Sequence, residues 1–200
     1  VTVDGPRLAA QLAFLAESEL LKQVERRTMV GEGSTRRREN SAEHSWSLAL
    51  FALVLAEHAD EPVDLARVLT LCLVHDLVEI DAGDTFAYDT RAHEDKAARE
   101  QAAAERIFGL LPPDQAAFVR DAWEEFEAAL TPEARFAAAV DRLQPVLLNV
   151  ADRGGTWAEH QLRLAQVMAR NEPISRGSAT LWAAARRRIE AGVDAGWLRP

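Results

Sequence analysis

Apolar residues in this chain recur at intervals of three and four, in stripes such as Leu8, Leu12, Leu15, Leu20 and Leu65, Leu69, Leu73, Leu77. That spacing sets one face of an α-helix against a core and does not match the period of two that a half-buried sheet needs. No Val/Ile/Thr alternation is bounded by Asn-Gly or Asp-Gly, so the sequence predicts no strands. The expected fold is all-α, a single-domain helical bundle of about seven or eight helices.

Cap and breaker residues place the helices. Pro6 opens a first helix running to near Arg27, and Gly31, Gly33, Ser34 and Thr35 break the pattern after it. Asn40 with Glu43 three residues on reads as a capping box for a helix from Ser41 to about Ala59. Asp60, Glu61 and Pro62 begin the next, which runs through Leu77 and stops before Gly83. Thr90 caps a helix ending near Leu111, and Pro112-Pro113 start one carrying Trp123 and Phe126. Thr131-Pro132-Glu133 is a strong helix start, and Pro145 interrupts that helix four residues after Asp141. Thr156 with Glu159 gives another capping box, and Ser175 or Ser178 opens the last helix.

Composition narrows the function classes. The chain has 200 residues, and 23 Lys+Arg against 32 Asp+Glu leave a net charge of −9, which weighs against a coat for nucleic acid or anionic membrane. The lone cysteine, Cys72, cannot form an internal disulfide. With no signal pattern at the start and no apolar run of about 18 residues, the expected address is cytoplasmic. We expect one domain over 1–200, with a motif-bearing core at 15–150 and further helices over 151–200.

Chemistry concentrates where an apolar helix turns abruptly polar, at Val74-His75-Asp76-Leu77-Val78-Glu79-Ile80-Asp81-Ala82-Gly83-Asp84. On a helix, His75 and Asp76 project about 100° apart and Glu79 stands one turn beyond, so the three can line one pocket wall. Imidazole and carboxylate together suit a divalent transition metal, although a lone His-Asp pair also describes a buried histidine satisfied by its neighbour. Two other helices carry further candidates. His44 lies near a helix start, and Asp141 sits beside the buried stripe Phe136, Val140, Leu143, Leu147, where an unpaired carboxylate is costly. His58, His93 and His160 belong to no motif, and Trp157, Trp182 and Trp197 read as packing residues.

The order His44, His75-Asp76, Asp141 resembles the HD-domain metal-dependent phosphohydrolases. Arg37-Arg38-Glu39-Asn40-Ser41-Ala42-Glu43-His44 is similar to the segment before the first histidine in their 5′-deoxynucleotidase branch, and His75-Asp76-x-x-Glu79-x-x-x-Gly83-Asp84 to its catalytic helix and turn. Trp123-Glu124-Glu125-Phe126-Glu127 and Glu133-Ala134-Arg135-Phe136 resemble the HD domain-containing protein 2 type within that branch. The resemblance implies that His44, His75, Asp76 and Asp141 hold one divalent ion (Mn, Co, Fe, Ni or Zn). It further implies that Glu79 handles the water or the leaving-group proton, and that Arg37 and Asp84 contact substrate. Nucleoside 5′-monophosphate hydrolysis by a homodimer is the function it implies. A cyclic or polyphosphorylated nucleotide substrate, or a non-catalytic metal- or nucleotide-binding module, stays open. The Arg-Trp pair that bacterial members of the branch carry upstream of the first histidine lacks its Trp in the corresponding Arg27-Thr28-Met29-Val30-Gly31-Glu32-Gly33, which leaves the choice between deoxyribose and ribose open.

Overall fold

The computed structural model describes residues 5–89 and 94–200; the expected cap Thr90 and His93 lie outside them. Helix α1 (Pro6–Ser18) opens on its proline and ends well before Arg27, because a 3₁₀ turn over Glu19–Gln23 passes the chain into strand β1 (Glu25–Val30). Strand β2 (Arg37–Asn40) pairs antiparallel with it, Met29 opposite Arg38 and Val30 opposite Arg37. The intervening turn holds Gly31 at φ 78° and Gly33 at φ 53°, a region that glycine enters without steric cost. This ribbon corrects the expectation of no strands. It carried no apolar alternation because the residues it turns inward are polar: Arg26 and Thr28, two apart on one face of β1, and Glu39 on β2.

Helix α2 (Ser41–Leu55) begins with the expected capping box, in which Asn40 Oδ1 accepts from Glu43 N at 3.0 Å and Glu43 Oε2 accepts from Asn40 N at 3.4 Å. Helix α3 (Leu65–Val74) starts later than expected, on Asp64, whose carboxylate accepts from Ala66 N at 3.0 Å. It also ends sooner. The chain turns through residues 75–78 into the short α4 (Glu79–Ala82), and Gly83 at φ 73° leads it out. Helices α5 (Lys96–Phe108) and α6 (Pro113–Ala128) follow, the latter opening on the expected proline.

Helix α7 (Pro132–Ala151) is capped by Thr131 Oγ1, which accepts from Ala134 N at 3.1 Å, and it continues through Pro145. The brief α8 (Gly155–Glu159) starts on Gly154 at φ 101° and takes in Thr156, so the expected Thr156 cap does not form. Thr156 Oγ1 instead donates to the Arg27 carbonyl on β1 at 3.1 Å. Helix α9 (Leu164–Asn171) and helix α10 (Ala179–Asp194) complete the chain, with Ser178 capping α10 and Ser175 in a preceding 3₁₀ turn.

Two apolar clusters hold these elements. The larger packs Leu48, Leu71, Phe136, Val140, Ile174 and Ile189 from α2, α3, α7, the 3₁₀ turn before α10 and α10 itself, so the 151–200 helices share its core. The smaller gathers Leu21, Leu77, Val78, Ile107, Phe108 and Trp123. Val74 packs against both. His75 and Asp76 therefore sit at the seam, where the backbone leaves one cluster for the other. Trp157 is buried and Trp182 packs partly against the larger cluster. Among the described residues, no helix is long and apolar enough to cross a membrane.

Candidate metal centre

The capping box sets His44 in the first turn of α2, the end of α3 delivers His75 and Asp76, and the middle of α7 supplies Asp141. The structure brings these four together. His44 Nε2 lies 2.9 Å from Asp141 Oδ1, and His75 Nε2 lies 3.1 Å from Asp76 Oδ1 and 4.0 Å from Asp141 Oδ1. Ligand atoms of His44, His75 and Asp141 all fall within 4.8 Å of one another.

Hydrogen bonds on the far side of each ring decide which nitrogen faces the cluster. His75 Nδ1 is 2.9 Å from the Cys72 carbonyl oxygen, which can only accept, so Nδ1 carries a proton and, in the neutral ring, Nε2 keeps the lone pair. For His44 the argument has one more link. Gln144 Nε2 donates to Glu39 Oε1 at 2.6 Å, which turns Gln144 Oε1 toward His44 Nδ1 at 3.2 Å and makes that nitrogen the donor. Both Nε2 lone pairs thus point among carboxylate oxygens.

Such crowding of electron-rich atoms calls for positive charge between them. His75 Nε2 is buried and makes no hydrogen bond. Burial opposes its protonation, yet Asp76 and Asp141 outweigh that and push the imidazole up to about 9. Burial likewise opposes ionisation of Asp141, but the His44 hydrogen bond and the charges of His44, His75 and Arg26 hold its carboxyl far below the usual range. For Asp76 the same contest against burial, won by His75 and Arg26, leaves it at about 2. A divalent cation satisfies the set more fully than a proton, and two imidazole nitrogens with carboxylate oxygens suit Mn, Fe, Co, Ni or Zn. The residues fit a metal.

The cluster opens into a cavity of about 370 Å³. Glu79, on its wall, is buried and accepts from Ser41 Oγ at 2.6 Å. Burial, then the charges of Asp76 and Asp84, push the Glu79 carboxyl up to about 8 against the pull of Arg26. Asp84 also lines the cavity, its carboxyl raised by burial although Arg26 draws it down.

Arg37 is elsewhere. It is exposed, both Nη atoms are engaged by Glu43 at 2.8 and 2.6 Å, and it does not line the cavity, so the expected phosphate fork from Arg37 is not in place. The guanidinium on the wall that reaches the cluster's carboxylates is Arg26, whose Nη1 donates to Asp76 Oδ2 at 2.8 Å while Nε stands 3.7 Å from Glu39 Oε2. Sequence reasoning missed Arg26 because it assigned Glu25–Arg27 to a helix end. Phe86 and Tyr88 add an aromatic stretch of wall, and His160, expected as an ordinary surface residue, lies against Phe86 with ring centroids 4.5 Å apart.

The family profile described as "HD domain" matches residues 18–182. The chain belongs to the HD-domain family. Curated relatives of this HD-domain protein include 5′-deoxynucleotidase HDDC2 of Homo sapiens, 32% identical over 146 residues, covering 73% of this chain and 70% of that protein. The Mus musculus protein of the same name is 32% identical over 139 residues, 70% of this chain and 68% of its own. A solved structure described as a predicted metal-dependent phosphohydrolase from Magnetospirillum magnetotacticum is 50% identical, with a TM-score of 0.91 over 97% of this chain and 96% of that one. A conserved hypothetical protein from Pyrococcus furiosus, 20% identical, shares the fold at a TM-score of 0.61 over 92% of this chain and 99% of its own.

If the Glu39–Gln144 pair sets the His44 tautomer, Gln144→Met should weaken Mn binding by about 10- to 100-fold, the usual effect of losing a ligand's outer partner. Calorimetric titration of the metal-free protein measures this. Equal affinity in variant and wild type would remove the tautomer argument.

Proposed function

We propose that this HD-domain protein is a metal-dependent phosphomonoesterase that hydrolyses nucleoside 5′-monophosphates, deoxyribonucleotides among them, to nucleoside and phosphate. The observation that carries the reading is Glu79, a buried carboxyl whose proton affinity burial raises, on the same cavity wall as the two-imidazole, two-carboxylate cluster. A site that only stored a metal has no use for a proton donor beside it. The names of the curated relatives support the substrate class.

In this reading His44, His75, Asp76 and Asp141 hold one divalent ion. When bound, such an ion draws charge from a phosphoryl group and makes water a nucleophile near neutral pH. Glu79 hands its proton to the leaving 5′ oxygen, and Ser41 fixes the orientation of that carboxyl through Oε2. Arg26 holds Asp76 in place by its 2.8 Å contact and offsets the acidic charge of the wall. Asp84, past the turn at Gly83, accepts from a sugar hydroxyl. Phe86 and Tyr88 give a flat base an apolar surface.

We read the protein as one HD-type domain working in the cytoplasm as a homodimer. The pairing surface is the outer face of α2, where Trp46, Leu50, Leu53 and Val54 are all exposed on a helix whose inner face is already buried.

A panel of ribo- and deoxyribonucleoside 5′-monophosphates, with phosphate detection on Mn-loaded protein, tests the activity. Wild type should release phosphate, and Glu79→Gln should lose about 10²- to 10⁴-fold in kcat while still binding Mn. No release from any member of the panel sinks the substrate reading, and full activity in Glu79→Gln sinks the role of Glu79. For the assembly, light scattering should report a dimer that Leu53→Glu converts to monomer; a monomeric wild type contradicts it.

A further inference from the structure

Arg142 follows Asp141 on α7, and it lines the cavity without being used by any step above. Its Nε is buried and makes no hydrogen bond. Its Nη1 reaches only the carbonyl of Ala138, one turn back, at a long 3.4 Å. Among the described residues no carboxylate lies within ion-pair distance of it, in contrast to Arg26, engaged by Asp76, and Lys96, engaged by Glu100. Arg170, on α9, lines the same cavity and likewise has no ion pair there. The positive charges that act on Arg142 are Arg170 and Arg176, and the negative ones are Asp141 and Glu127.

A guanidinium drawn partly out of water with no partner, and facing like charge, is a cost that the fold carries without return. An anion seated against Arg142 and Arg170 relieves both the lost hydration and the repulsion. The need is sharpened by the acids elsewhere on the wall, where Asp76, Asp84, Glu100, Glu127 and Asp141 would turn an anion away. A planar guanidinium with free N–H groups matches phosphate oxygens in pairs.

We propose that Arg142, with Arg170 beside it, is the phosphate-receiving wall of the cavity, binding the anionic ester of the substrate and the inorganic phosphate released from it. This rests on reading the cavity as a phosphomonoester site and adds two things: the cation that selects the anionic group, and a role for helix α9 in substrate binding.

The probe is inorganic phosphate, titrated calorimetrically into Mn-loaded protein and followed in parallel by thermal melting. Arg142→Gln should weaken phosphate binding about tenfold or more, as expected for losing charge-assisted hydrogen bonds. Arg170→Gln should weaken it several-fold, and Arg188→Gln, an exposed change on α10, should leave it as in wild type. In phosphate-free buffer Arg142→Gln should melt at or above wild type, since it removes an unpaired charge; an arginine that held the fold would show the opposite. Wild type that binds no phosphate, or Arg142→Gln with affinity within about twofold of wild type, overturns the proposal. Should Arg142→Gln melt lower, the exposed Arg170 decides, and unchanged affinity in Arg170→Gln overturns it. The two readings separate cleanly. Arg142-dependent phosphate binding without hydrolysis of any nucleotide leaves the wall standing and removes the function, whereas hydrolysis with KM and phosphate affinity untouched by Arg142→Gln does the reverse.

Discussion

Two imidazole lone pairs are turned inward onto two carboxylates, and the rest of the structure is arranged so that they cannot turn away. His75 is fixed by a backbone carbonyl at the end of α3. His44 is fixed by Gln144, which is itself fixed by Glu39. Each link ends on a group that only accepts, so the proton positions follow from the chemistry of the acceptors. Left without positive charge, the arrangement is unfavourable, which is why His75 binds a proton so tightly and why a divalent ion is its natural complement.

That constraint explains features of the fold that helical packing does not require. The β1–β2 ribbon brings Arg26 and Glu39 beneath the cluster, with polar side chains turned inward where a structural ribbon would place valine or isoleucine. Helix α3 stops at Val74 and the chain turns through His75–Val78, so that Asp76 and Glu79 reach the cavity while Leu77 and Val78 enter the second apolar cluster. The net charge of −9 acquires a local counterpart on the cavity wall, where cations are either clamped by acids, as Arg26 is, or left open, as Arg142 is.

Much of this was legible in the sequence wherever a local rule decided the outcome. Asn40 with Glu43, Thr131 with Pro132, Pro113 and Ser178 all start helices as their cap chemistry dictates. His75, Asp76 and Asp141 stood out as polar groups on or beside apolar stripes, whereas His44 was picked out by the ligand order that the chain shares with the HD-domain family. What stayed hidden depended on contacts far apart in the chain. The ribbon had no apolar alternation, the Thr156 hydroxyl found the Arg27 carbonyl in place of a cap, and Arg37 was drawn away by Glu43. Arg26 and Arg142 carry no motif of their own, and their importance shows only once their surroundings, acidic for one and unpaired for the other, are known in three dimensions.

The central claim, that one cation binds where the two inward nitrogens meet the two acids, is tested most directly by anomalous diffraction from crystals soaked in Mn. The account predicts a single strong peak enclosed by His44, His75, Asp76 and Asp141, with Gln144 still bridging His44 and Glu39. A peak elsewhere, or none at full Mn saturation with His44 and His75 hydrogen-bonded through Nε2 to their acids, would contradict it.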